Sequence, residues 1–368
     1  MTGVNSATKS SCRDHCGCQY ARRMDGPSLT SQRDVLESLL DEELDFDATT
    51  TNGLTNHLPM ALVAKSGLGA SSDELRRFAT RYEVRLAPRS DVDTQLSAAT
   101  WRSAIGRAGS FEVLCDYFTR SVNDEGPEAT LQRHIDALSP GLCGAAFHGA
   151  IRLAYALELS SPPRIAAGLA YLAESAVALG EPLTSSTSSN SVADVLAQLS
   201  VSNQFEGLPS GGLISEEMLD VATMVPFRSA VATCRLDGDT IDDLRRAALI
   251  LYATTGDFTS LHAVTGVEAL TALRPYSQDV TGFDAACVKG VAAAYATVGA
   301  PPLASTEQLS AFSSSNGATE DDVAAVGAMS DDEHVSKLVY TSLRLRAKTN
   351  DDLYLAVAAR KAGLLSAN

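Results

Sequence analysis

The chain has 368 residues, enough to bury a large core, and this length admits two domains without demanding them. Lys and Arg number 29 against 45 Asp and Glu, a formal net charge of -16 with a pI near 4.8, which argues against a surface that tracks nucleic-acid phosphates. The most apolar stretch, Ala145 to Leu159, is too short to cross a bilayer and carries Arg152, so neither nucleic acid nor a membrane is an expected partner.

Residues 1–32 are rich in small polar residues and read as a disordered tail. The tail brings Cys12, His15, Cys16 and Cys18 close together, but no second ligand pair stands at finger spacing, so the cluster is expected to be chemically idle. Seven cysteines are an odd number and no secretory apolar segment is evident, which fits a reducing cytoplasm without structural disulfides. No linker interrupts residues 33–368, which read as one domain. Asp34 to Leu44 is patterned as a short acidic amphipathic helix with Val35, Leu36, Leu39, Leu40 and Leu44 on one side. From Asp93 to Val122 the helical period returns, with Trp101, Ile105, Phe111, Leu114 and Phe118 as core positions around Gly106 and Gly109. Leu183 to Ser191 and Glu206 to Ser215 read as exposed loops, either of them a candidate lid.

Strand signals are scarce, alanine is abundant and most apolar residues recur at three and four. The expected fold is therefore all-α, a single multi-helical domain built from helical hairpins around a central pocket. Phe111 to Phe118 and Val221 to Leu236 are the ambiguous stretches, the second because Pro226 interrupts it.

Four of the six histidines open similar units, each an apolar helical stretch, a breaker-rich turn and a second helical stretch. His57 leads to a turn at Ser66 and a helix from Asp73 to Leu86; His148 leads to Ser160-Ser-Pro-Pro and Arg164 to Leu179. His262 leads to a turn from Arg274 and Phe283 to Val298; His334 leads to a turn from Ala347 and Leu353 to Leu365. The helical faces below the histidines are mostly apolar, so the imidazoles are expected to point inward. Small residues beside them, Ala61, Gly149, Ala263 and Gly266, would let the helices approach. Neutral imidazole is a common ligand for Zn, Cu and Fe, so equivalent positions suggest one shared metal site, while the plain alternative is four hydrogen-bonded core histidines. Asn56 with Pro59 resembles a helix start, Ser330 to Glu333 has the form of a capping box, and the helix of His148 has a second possible start at Ser139-Pro140. Helix starts disfavour imidazolium and leave nitrogen free to ligate. His15 and His134 lack the pattern, and His134 reads as an ordinary helix-surface residue.

The segments Thr55-Asn-His57-Leu-Pro-Met-Ala-Leu, Ala145-Ala-Phe-His148-Gly-Ala-Ile-Arg, Leu261-His262-Ala-Val-Thr-Gly and Asp332-Glu-His334-Val-Ser-Lys337-Leu resemble the questin oxidase-like family across roughly residues 35–365. The resemblance implies an all-helical, flavin-free oxidoreductase with one non-haem iron and dioxygen as co-substrate, cleaving the ring of an anthraquinone-like aromatic polyketide in secondary metabolism. It implies His57, His148, His262 and His334 as iron(II) ligands, joined by Lys337 carboxylated by carbon dioxide. Left unmodified, Lys337 would instead snorkel from an amphipathic helix. Arg152 and Tyr155, one and two turns after His148, are the candidates for orienting the phenolic oxygens of a small aromatic substrate, or are structural helix residues. A partner reductase is the candidate source of reduced substrate. The short Ser-rich connections and the Cys-containing tail depart from the family's pattern.

Three other readings compete. A metal-free, NADPH-dependent Baeyer-Villiger-type oxidase finds little support, because Gly67-Leu-Gly69 lacks the third glycine of a dinucleotide loop and follows a helix. In a catalytic zinc hydrolase, four histidines would leave too little vacancy. A non-catalytic helical-repeat binding protein would carry its consensus in packing residues, and these hairpins are unequal in length.

Overall fold

The computed structural model describes residues 31–92, 94–180, 189–208 and 211–365. The cysteine cluster of the tail and parts of both proposed lid loops lie outside the described residues. Among the described residues the chain is predominantly α-helical, with one two-stranded sheet.

The helices are α1 (Gln32–Glu43), α2 (Leu58–Gly67), α3 (Ser72–Glu83), α4 (Phe111–Glu125), α5 (Pro127–Leu138), α6 (His148–Glu158), α7 (Pro162–Glu174), α8 (Val192–Val201) and α9 (Ile214–Thr223). They continue as α10 (Val225–Val231), α11 (Thr240–Thr255), α12 (Phe258–Leu273), α13 (Val280–Thr297), α14 (Thr306–Ser314), α15 (Glu320–Met329), α16 (Glu333–Thr349) and α17 (Leu353–Lys361). Local chemistry sets many of the starts: the side chains of Ser31, Ser71, Ser191, Asp257, Ser305, Thr319 and Asp332 each accept a first-turn N–H that no helical carbonyl can reach. The four expected hairpins are all present, as α2–α3, α6–α7, α12–α13 and α16–α17.

The departures have local causes. Phe46–Thr50 (β1) pairs antiparallel with Leu86–Pro88 (β2), a short sheet with no alternation long enough to announce it. The helix expected from Asp93 starts only at Phe111: Gly106 and Gly109 take positive φ, and Trp101–Ala104 forms just a short 3₁₀ turn. Pro226 starts a helix rather than spoiling one, because α9 ends before Met224 and the proline falls in the first turn of α10.

The core is continuous, and α12 and α13 run through it buried on nearly every side. The four helices that follow the histidines close into a ring: α2 packs on α6, α6 on α12, α12 on α16, and α16 on α2. No helix among the described residues is long and apolar enough to cross a membrane.

Candidate metal centre

The ring of helices carries a ring of imidazoles at one end. His57 immediately precedes α2, His148 is the first residue of α6, His334 the second of α16, and His262 lies one turn inside α12. Ring centroids are 4.5 Å apart for His57 and His148, 4.8 Å for His148 and His262, 5.2 Å for His262 and His334, and 4.7 Å for His334 and His57. Side chains up to 277 positions apart in sequence (57 to 334) therefore meet in one cluster.

Hydrogen bonds decide which nitrogen each ring offers. The Nδ1 of His148 faces the Ala145 carbonyl, that of His262 the Phe258 carbonyl at 2.8 Å, and that of His334 the Asp332 carboxylate at 3.1 Å. These oxygens can only accept, so Nδ1 carries the proton and the neutral ring presents a lone pair at Nε2. The Nε2 atoms of His148, His262 and His334 are buried and have no hydrogen-bond partner. Leaving such atoms unsatisfied costs roughly 1–3 kcal/mol apiece, and a cation among them would remove that cost.

The donor atoms of His57, His148 and His334 lie within 4.8 Å of one another. Two nitrogens on one metal at ~2.1 Å stand ~3.0 Å apart as neighbours and ~4.2 Å apart when opposite, so a pair at the 4.8 Å limit closes by about 0.6 to 1.8 Å on loading. The residues present fit a metal ion.

A strained turn sets the position of His148. Ala145, Ala146 and Phe147 take φ of 47°, 53° and 67°, three successive left-handed residues without a glycine among them. Such backbone costs on the order of 1 kcal/mol or more per residue. The turn aims the Ala145 carbonyl at the imidazole three residues on, and it is wedged against α12 and α13. A Cβ on Gly266 would sit 2.6 Å from Phe147 Cγ, and one on Gly290 would sit 3.1 Å from Phe147 Cε1. The helix of His148 thus starts at His148 and not at Ser139, where a separate 3₁₀ turn stands. Gly266 serves the close approach expected of it, whereas Gly149 serves a different one: its Cβ would meet Leu172 of α7.

Lys337 is 1% exposed, and its Nζ is 3.2 Å from His57 Nδ1. Burial, opposed by the Glu333 and Asp332 carboxylates, brings its pKa down to about 7, so a large share of the side chain is neutral amine near neutral pH. Burial also holds His57, His148 and His262 well below the ordinary imidazole range. Lys337 is the next cause for His57 and His148, and His334 followed by Lys337 for His262. His334 is lowered by burial and Lys337 against the upward pull of Asp332. The cluster is a set of neutral donors.

Two acidic residues complete it, and sequence reading missed their part. Asp332, not Ser330, caps α16: its Oδ1 accepts from the His334 backbone N–H at 2.8 Å and from the ring, and its Oδ2 from Lys361 Nζ at 3.0 Å. Glu333 is buried with Oε1 3.5 Å from His57 Nδ1 and 3.6 Å from Arg85 Nη1. Their run of acidic residues looked like helix capping, which it is in part; only the tertiary arrangement turns it toward the imidazoles.

Arg152 and Tyr155 stand apart from the four rings, lining a separate pocket between α1, α2, α6 and α7 with Leu40, Leu44, Pro59, Met60 and Val63. Arg152 Nη2 donates to Glu43 Oε1 at 2.8 Å, both residues buried, while its Nη1 is buried without a partner. Burial pushes the Tyr155 hydroxyl far above the usual phenol range. His134, expected on a helix surface, is buried instead. Its Nδ1 donates to the Thr130 carbonyl at 2.7 Å, its Nε2 accepts from the Tyr117 hydroxyl at 2.9 Å, and Trp101, Tyr117 and Phe118 surround the ring edge to face. It is the satisfied core histidine that His148, His262 and His334 are not.

Comparison with curated proteins found no match. The family model described as Questin oxidase-like matches residues 54–342, a span that takes in all four histidine motifs and Lys337. The chain belongs to the questin oxidase-like family, and with it to the oxidoreductases.

Proposed function

We propose that this protein is a non-haem iron(II) oxygenase that uses dioxygen to cleave the ring of an aromatic polyketide of the anthraquinone or hydroquinone type. The observation that carries the reading is the set of buried, unpartnered Nε2 atoms on His148, His262 and His334, each ring locked by its Nδ1 and all gathered with His57. Family membership supports oxidase chemistry on polyketide-type substrates. His57, His148, His262 and His334 would hold the ion, and iron(II) would supply dioxygen binding and electron transfer.

Charge balance bears on the fifth ligand. Helix N-termini converge here, each contributing up to about half a positive charge, so a dication needs nearby anions. Lys337 answers this as a carbamate: the lone pair of the neutral amine forms a C–N bond to the carbon of CO2, one C=O π pair moves onto oxygen to give the anionic ligand atom, and a nitrogen proton leaves to solvent or to a neighbouring carboxylate. Asp332 and Glu333 add further negative charge beside His334 and His57. In the pocket between α1, α2, α6 and α7, the unpartnered Nη1 of Arg152 and the hydroxyl of Tyr155 would donate to phenolic oxygens of a substrate that extends there and fix its orientation. The helical walls keep bulk water from the donors.

Elemental analysis after anaerobic reconstitution tests the proposal. About one iron per chain is expected, lost together with turnover in each single imidazole-to-alanine variant. Normal iron content and turnover in all four variants would refute it.

A further inference from the structure

Helices enclose most of the imidazole ring, yet one large apolar side chain in contact with it remains in solvent. Phe258 is 51% exposed, while the next four residues of α12, Thr259 to His262, are buried. Its ring centroid lies 4.6 Å from that of His262 and 4.7 Å from that of His334, inclined at 78° and 62°. Nothing in the local backbone calls for a phenyl group. The carbonyl of Phe258 accepts from His262 whatever side chain it bears, and Asp257 caps the helix through the N–H of Thr259. An exposed aromatic forgoes part of its burial free energy, and this one does so beside two candidate ligands.

We propose that Phe258 is the aromatic wall at the mouth of the metal centre, a specificity-determining residue against which a planar aromatic substrate packs as it reaches the metal. This rests on the metal-centre reading given above. The phenyl ring offers offset stacking or edge-to-face contact and no hydrogen bond, so it selects flat, polarizable rings and is indifferent to small polar ligands. A ring seated on it packs against the side chain that itself contacts His262 and His334.

Equilibrium dialysis of the full chain against 1,8-dihydroxyanthraquinone, with and without iron, tests the wall. Elemental analysis reads the metal in parallel, and azide titration of the cobalt(II)-loaded protein, followed by its visible spectrum, reads access for a small ligand. F258A is expected to weaken dialysis binding tenfold or more, with metal content and azide affinity unchanged. F258L, which keeps apolar bulk without a ring, should follow F258A, and F258W should stay within threefold of the wild type. Probe affinity within twofold of the wild type in F258A, no binding by the wild type, or a loss of azide affinity equal to that of the probe would each overturn the proposal. Phe258-dependent probe binding by a chain that takes up no metal would sink the metal centre and leave the wall standing; full metal with Phe258-independent binding would do the reverse.

Discussion

Gly266→Ala probes the strained turn without touching any candidate ligand. The new Cβ would lie 2.6, 2.8 and 2.9 Å from Cγ, Cβ and Cδ1 of Phe147, where ordinary contact begins near ~3.5 Å, so something must move by nearly ~1 Å. Phe147 is fully buried and confined on its far side by α13, so the displacement passes to its own left-handed backbone and to His148 beside it. Overpacking costs roughly 1–3 kcal/mol, and replacing a mid-helix glycine returns about 1 kcal/mol. Net destabilisation should therefore be modest, no more than about 2 kcal/mol, while disturbing the Ala145 carbonyl that orients His148 should weaken metal binding by about 10-fold or more. Denaturant midpoints of the metal-free protein give the first quantity and competition with a chelator the second. Gly317→Ala, where nothing lies within 4 Å of the new Cβ, is the control. Metal affinity of the Gly266 variant within twofold of the wild type would refute the claim that the turn positions the ligand.

Asp332→Ala removes both the helix cap and the acceptor of His334 Nδ1; it should cost about 1 kcal/mol in stability and about 10- to 100-fold in metal affinity, read by the same two assays. Acidification should weaken the metal-free protein. The folded pKa values of His57, His148 and His262 lie well below the unfolded value near ~6.5, so the unfolded chain takes up more protons and stability falls as pH drops through that value. Lys337, lowered to about 7, adds to the loss at higher pH, from its unfolded value of 10.5 downward. A urea midpoint that stays flat or rises between pH 8 and pH 5.5, or a slope that His262→Asn leaves unaltered, would contradict this. Arg152→Met leaves Glu43 buried with Asn56 Nδ2 as its remaining side-chain donor, and should destabilise by about 3–5 kcal/mol in chemical denaturation. A loss below about 1 kcal/mol would show that Arg152 is not committed to that pair.

Much of the architecture was legible from local pattern. The four hairpins follow from apolar spacing and breaker residues, both properties of short segments, and the inward direction of the histidines follows from the apolar faces beneath them. The helix starts were only partly legible, since Ser330 and Asp332 both carry capping side chains and only the observed backbone selects Asp332. His134 was misjudged because its charged and polar neighbours in sequence, Arg133 and Asp136, point elsewhere; the aromatic box around it comes from α4 and from Trp101.

The amino-acid order by itself determined that the chain is helical, that one histidine marks each hairpin, and that Lys337 shares a helical face with His334. The tertiary structure decided the rest: that the imidazoles share a single cluster, that Glu333 and Phe258 border it, that Arg152 pairs with Glu43, and that three left-handed residues carry the chain into His148. The reason is range. Helical periodicity and capping act over a few residues, whereas the positions of ring nitrogens depend on how helices far apart in sequence close into a ring, which no short window of sequence encodes.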